Sequence, residues 1–267
     1  MSQSLVLQRV EGPLLHVTLN RPEKRNALTP QMLEDIAAAV RSADDHADVR
    51  AVIVSAAGPI FSAGIDLAAL LEPPAGAESA HVGRRVRRLA ERLQHALNVI
   101  EATEVPVIGA LQGQVLGLGL ELALAFDLRV AATDLMLSIP ESRLGLVADV
   151  GGTTRLARTV GPSRAKDLLL TARAIDANEA LQWGLVNRVA PPPELLSAAV
   201  TLGKEIARNA PLAVGMAKLI VDQGDGLDKH TQMAIERWAQ SQLLGTEDVR
   251  EAVTAFLQKR PAEFKGR

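Results

Sequence analysis

Four short apolar runs punctuate the first half of the chain, each bounded by turn-forming residues. They are Leu14 to Asn20 (LLHVTLN), Ala51 to Ser55 (AVIVS), Val105 to Leu111 (VPVIGAL) and Leu128 to Ala131 (LRVA). Short β-branched runs of this kind predict strands. The intervening segments carry the longer apolar spacing of helices. One begins at Thr29-Pro30, where Thr29 suits the N-cap and Pro30 the first helical position. This alternation predicts an α/β fold. The pattern changes near residue 190, at Ala190-Pro191-Pro192-Pro193, a stiff break. Beyond it no strand is expected. Segments 194–209, 212–222, 228–244 and 247–258 all read as helices, a tail able to cover its own core or a partner subunit. The stretch 72–83 (EPPAGAESAHVG) reads as a Gly/Pro/Ala-rich loop.

Composition narrows the function. The chain has 267 residues, 48% of them hydrophobic, enough for one sizeable core. Lys and Arg total 29 against 31 Asp and Glu, a net charge of −2, without the basic excess of a general nucleic-acid binder. The absence of cysteine excludes disulfides, thiolate metal sites and a Cys nucleophile, and fits a reducing cytoplasm. The opening residues lack the basic start and apolar core of a signal peptide. The most apolar stretch, Val115 to Phe126, is broken by Glu121 and falls short of the ~20 residues that span a bilayer. The five histidines show no ligand spacing, so no metal site is expected. No phosphate-binding loop is present, and Ile60 stands where a GxSxG nucleophile elbow needs Gly.

The acids are more informative. Between Gly113 and Phe126 (GQVLGLGLELALAF), Glu121 is the only ionisable group. If Leu116 to Phe126 is helical, its neighbours three and four positions away are Gly117, Leu118, Leu124 and Ala125, and no face is wet. Burial there raises the carboxyl pKa toward the range of a general acid. The alternative is a structural Glu, paired with an Arg or capping a helix. Glu141 follows a short apolar run and Pro140, and Asp149 lies in the mostly apolar GLVADVGG. Carboxylates facing one substrate divide acid and base duties when their environments split their pKa values. The competing reading is capping: Pro140-Glu141 opens a helix and Asp149 caps the next.

Two glycine-rich turns, Phe61-Ser62-Ala63-Gly64-Ile65-Asp66-Leu67 and Gly117-Leu118-Gly119, allow close backbone approach to a ligand. Their N–H groups could form an oxyanion hole or simply close tight turns. Arg84, Arg85, Arg87, Arg88 and Arg92 crowd one predicted helix. They form either a solvated face or an attractor for a polyphosphate.

These segments together resemble the crotonase (enoyl-CoA hydratase/isomerase) superfamily. The resemblance is carried by NRPEKRNAL at 20–28, FSAGIDL at 61–67, GLGLELALAFDLRVA at 117–131 and PESRLGLVADVGGTTRLARTVG at 140–161. It continues through EALQWGLVNRV at 179–189 and AFLQKRPAEFKGR at 255–267. It implies a spiral of ββα units over residues 1–190 and a helical oligomerisation region over 191–267. It further implies trimers or hexamers, an acyl-CoA thioester as substrate, and no cofactor, since CoA is part of the substrate. No nucleic acid or membrane partner is implied. The family stabilises a thioester enolate with two backbone N–H groups, which by position belong to Ala63 and Leu118. Leu118 departs from the Gly common there. The CoA moiety would lie against Lys24, Arg25, Ala27, Gly64, Ile65, Asp66 and Leu67. Phe256 and Lys259 match positions that reach a neighbouring subunit's CoA.

Glu121 and Glu141 match the two glutamates of the hydratases, with their spacing of 20. In that chemistry one Glu activates water for attack at C3 and the other helps deliver a proton to C2. Asp149 stands where hydratases usually have Gly, and GLVADVGG resembles the dienoyl-CoA isomerases, in which an Asp and a Glu move the proton. The resemblance therefore implies an enoyl-CoA hydratase first. Next come a 3,5-2,4-dienoyl-CoA isomerase using Glu141 and Asp149, and a weakly catalytic CoA-thioester or RNA binder. The retained acids and the balanced charge speak against the last.

Overall fold

The computed structural model describes residues 4–68, 82–224 and 226–267. Two sheets organise it. The larger has six strands in the order β1 (Val6–Glu11), β2 (Leu14–Leu19), β3 (Ala51–Ala56), β4 (Val107–Leu111), β6 (Leu128–Ala132) and β9 (Arg188–Ala190). Strands β1 and β2 form an antiparallel hairpin, and every later pairing in this sheet is parallel. The smaller sheet joins β5 (Gln114–Leu116), β7 (Met136–Ser138) and β8 (Ile175–Asp176).

The chain winds between the sheets in a recurring unit: a long strand, a short extended segment, then a helix. Strand β2 is followed by Leu28 and by α1 (Pro30–Arg41). Strand β3 is followed by the segment Ser62 to Ile65 and later by α2 (Val82–Glu101). Strands β4 and β5 lead into α3 (Leu118–Leu124), and β6 and β7 lead to α4 (Gly152–Val160). The short segments bridge one another, Leu28 to Ile65 and Ser62 to Val115, and β5 pairs with β7. This is the crotonase-type spiral of ββα units.

The predicted strands form where expected because they are buried on both faces. In β3, Val52 and Val54 enter the main core, while Ala51 and Ile53 point the other way. The second face is covered by α7 (Leu195–Ala207) through Leu195, Ala199 and Leu202. Gly203 lets α7 approach closely, since a Cβ there would lie 2.9 Å from Leu14 Cδ2. Residue 190 is thus the end of the last strand, but the first helix after it completes the core. Thr29 caps α1 by accepting the N–H of Met32. Strand β1 went unpredicted because five of its six residues are exposed, which erases the hydrophobic signal. Strands β5, β7, β8 and β9 span only two or three residues, too few to show a period.

Two further helices connect the core: α5 (Pro162–Thr171) and α6 (Ala177–Gln182). The tail continues as α8 (Pro211–Gly224), α9 (Lys229–Leu243) and α10 (Glu247–Gln258), within two residues of the predicted limits. These three bury little: Ala239 is the only buried residue of α9, and Asp248 and Ala255 those of α10. The loop expected at 72–83 lies outside the described residues, except that Val82 and Gly83 open α2. Among the described residues no helix is long and apolar enough to cross a membrane.

Candidate active site

Three consecutive turns of the spiral converge on one cavity of about 70 Å³. Its lining includes Ile65 from the second turn, Leu118 and Glu121 from the third, and Glu141 and Asp149 from the fourth. The apolar remainder comes chiefly from α2, through Val86, Leu89 and Leu93, and from Leu146 and Val147. The three acids singled out in the sequence therefore meet in space.

Glu121 sits in α3 and is 2% exposed. Its Oε1 accepts the N–H groups of Val150 at 2.9 Å and Gly152 at 2.8 Å. Gly152 begins α4, so the carboxylate closes the N-terminus of that helix. Both sequence readings hold at once: Glu121 caps a helix and has a perturbed pKa. Burial pushes that pKa up to about 7, against the Gly152 and Val150 donors and with help from Glu141 and Asp149. No arginine pairs with it among the ion pairs of the described residues.

Glu141 begins a single 3-10 turn, Glu141–Leu144, after Pro140. Its Oε2 is buried with no hydrogen-bond partner. Burial, reinforced by Asp149, raises its pKa. Gly117, at φ +49°, is pressed against this carboxylate, leaving no room for a side chain. Asp149 is exposed, and the capping role expected for it is not observed. The N-cap of α4 is Gly151, and the capping carboxylate comes from Glu121 instead.

The backbone donors require one correction. The N–H of Ala63 is already bonded to the Arg25 carbonyl at 2.9 Å and is not free for an oxyanion. Two residues on, Leu28 and Ile65 bridge in parallel: Leu28 N–H donates to Gly64 O and Asp66 N–H to Leu28 O. In that pattern the Ile65 N–H points to the opposite side. Leu118 is the first residue of α3, where the N–H has no partner within the helix. The two donors are brought close by Gly64, whose Cα faces Leu116 O and Leu118 N; a Cβ there would lie 3.6 Å from that nitrogen. Ile65 was expected only as a substrate contact, and the outward turn of its N–H is what the fold adds. The pairing of Ala63 N–H with Arg25 O and the bridge of Ile65 to Leu28, both to residues distant in sequence, distinguish the two amides.

The residues expected around CoA gather next to these donors. Lys24 and Arg25 close a 3-10 turn, with Arg25 and Asn26 both at positive φ. Arg25 reaches Gln114 Oε1 at 2.6 Å. Ala27 O accepts from Arg21 Nη1, which also pairs with Asp66 Oδ2 at 2.7 Å. Asn26, overlooked in the sequence, is fully buried and donates to Ala57 O and Ile60 O. Ser62 locks the turn by donating to Asn26 O and accepting from Gly64 N–H. Phe256 and Lys259 are not brought to the cavity of their own chain; they belong to the end of α10, and Phe256 is 83% exposed.

A family model described as enoyl-CoA hydratase/isomerase matches residues 9–267. The chain belongs to that family. As a member of the enoyl-CoA hydratase/isomerase family it is similar to the short-chain-enoyl-CoA hydratase of Clostridium acetobutylicum. The two are 37% identical over 269 residues, covering 100% of both chains. It is also similar to the mitochondrial Delta(3,5)-Delta(2,4)-dienoyl-CoA isomerase of Rattus norvegicus, 35% identical over 98% of this chain and 81% of that one. The crystal structure of an enoyl-CoA hydratase from Bacillus anthracis superposes with a TM-score of 0.91 at 33% identity, covering 99% of this chain and 100% of that one.

Proposed function

We propose that this family member is an enoyl-CoA hydratase, adding water across the 2,3 double bond of a short-chain enoyl-CoA. The observation that carries the reading is the convergence of two buried-site glutamates and two backbone donors on one cavity. The thioester oxygen accepts the N–H groups of Ile65 and Leu118, which stabilise the charge that grows on it as the enolate forms. Burial raises the pKa of both Glu121 and Glu141, and the two divide the acid and base duties. The ionised member takes a proton from water as its oxygen bonds to C3. The protonated member then delivers a proton to C2, and the thioester carbonyl is restored. One water is consumed and no cofactor is required. Lys24, Arg25, Ala27 and the segment Gly64 to Leu67 hold the CoA moiety beside these donors.

Mixing the protein with crotonyl-CoA and following the conjugated enoyl-thioester absorbance tests this reading. Rapid loss is expected; no loss with folded protein that binds CoA thioesters would overturn it. A second reading, dienoyl-CoA isomerisation by Glu141 and Asp149, is supported by the place of Asp149 on the cavity wall and by the rat isomerase relative. Retention of hydration in an Asp149→Asn variant separates the two.

The family resemblance implies an assembly of three or six copies, and the exposed tail supports contact between copies. Val253, Phe256 and Leu257 leave an apolar face on α10 exposed, and burying it would bring Phe256 and Lys259 to a neighbouring copy. Sedimentation of the native protein is expected to give a mass of three or six chains.

A further inference from the structure

We infer that Leu118 is a specificity-determining residue whose side chain closes the inner end of the acyl cavity and restricts the site to enoyl groups of about four carbons. This rests on the hydratase reading and adds to it the chain length and the residue that sets it. Leu118 and Glu121 are three apart on α3 and so project from the same face of that helix. The isobutyl group therefore lies alongside the carboxylate, inside the site whose thioester oxygen its own N–H would hold. The opposite wall is α2, contributing Val86, Leu89 and Leu93.

Exposure along this lining is graded. Leu118 and Leu93 are buried at 3% and 2%, whereas Val86, Leu146 and Val147 are exposed at the rim. The cavity thus has a closed apolar end and an open mouth. Its volume, about 70 Å³, holds roughly five water-sized bodies at ~10–15 Å³ each. A space of that size suits a short enoyl group such as crotonyl better than a long one. An octenoyl group carries four more carbons, and directed inward they meet Leu118. Replacing Leu118 by Ala removes three side-chain carbons while keeping the N–H that faces the thioester.

The test compares kcat/KM for crotonyl-, hexenoyl- and octenoyl-CoA in the native protein, Leu118→Ala and the milder Leu118→Val. The native protein is expected to favour crotonyl-CoA. Leu118→Ala should raise the hexenoyl-to-crotonyl ratio by ~10-fold or more, the scale of a methylene in a hydrophobic pocket. Leu118→Val should move it the same way by less, and carries the test should the alanine variant not fold. Calorimetric binding of butyryl-CoA and octanoyl-CoA supplies a readout independent of hydration. Preference for butyryl-CoA that relaxes in the variants supports the inference even if no hydration is seen, in which case only the hydratase reading fails. Equal use of crotonyl- and octenoyl-CoA by the native protein, or unchanged ratios in both variants, would overturn it, because the chain would then leave through the rim at Val86 and Val147.

Discussion

Glu121 Oε1 accepts the N–H of Gly152 at 2.8 Å, and a Cβ on Gly152 would lie 2.7 Å from that same oxygen. The same substituent would lie 2.8 Å from the Ala148 Cβ. Helix α4 therefore starts with a glycine because a buried carboxylate occupies the space of a side chain. Gly152→Ala is expected to displace Glu121 and lower kcat by about 10-fold or more, since small misplacements of reacting groups are costly. Kinetics alongside circular dichroism check this. Normal turnover in folded variant protein would show that the contact does not position Glu121.

On the hydratase reading, Glu121 and Glu141 work as one unit in the proton chemistry. Glu121→Gln and Glu141→Gln are each expected to reduce hydration of crotonyl-CoA by roughly 10²-fold or more, the general acid–base scale. Because the two act as a unit, the double variant should lose little beyond either single one. Steady-state rates for the three variants decide it, and a near-normal rate for Glu141→Gln would remove that residue from the mechanism.

Burial of Glu121 makes stability depend on pH. Its carboxyl is held at about 7, above the ordinary glutamate value of about 4.5. The folded state thus retains a proton that the unfolded chain has released. The sign follows: the protein is most stable, for this group, below about 4.5, and loses stability as pH rises to about 7. The shift corresponds to about 3 kcal/mol at most. Glu121→Gln, which cannot ionise, is expected to be more stable than the native protein at pH 8, with the difference shrinking toward pH 5. Urea denaturation at the two pH values measures it. An identical pH dependence in both proteins would contradict the assignment.

Asp149 contributes charge to its neighbours. Its carboxylate raises the pKa of both Glu121 and Glu141. Asp149→Asn should leave hydration of crotonyl-CoA within about tenfold of native and move the pH–rate profile to lower pH. Loss of turnover at every pH would instead make Asp149 part of the reacting set, as the isomerase reading requires.

Placing a charge on the exposed face of α10 tests the assembly. Phe256→Glu is expected to shift the sedimenting species toward smaller mass and to raise KM for the CoA thioester, leaving the fold of the single chain intact. An unchanged mass would locate the contact between copies elsewhere.

The pattern of apolar runs revealed the long strands because each of their faces is covered, Val52 and Val54 on one side and Ala51 and Ile53 on the other. The short strands carry no such pattern. Gln114 to Leu116 and Met136 to Ser138 are defined by pairing with each other, a fact of the folded chain alone. The acids were legible for a related reason: Glu121 is conspicuous as the one ionisable residue in an apolar stretch. The donor amides were not. Ala63 and Ile65 stand in the same turn, and what separates them is which N–H meets the Arg25 carbonyl and which points away from Leu28. Asn26 was passed over because a buried asparagine is defined by its carbonyl partners, Ala57 and Ile60, which lie more than thirty positions away.

The winding of the chain has a consequence for how such a site changes over generations. Ile65, Glu121 and the pair Glu141 and Asp149 belong to successive turns, each with its own strand and helix for support. An acid can therefore appear or vanish on one turn by a single codon change while the backbone of the others stays in register. The scaffold separates heredity of binding from heredity of reaction. In this chain one turn brings Glu141 and Asp149 and another Glu121, so each acid can be altered without disturbing the turn that holds the other.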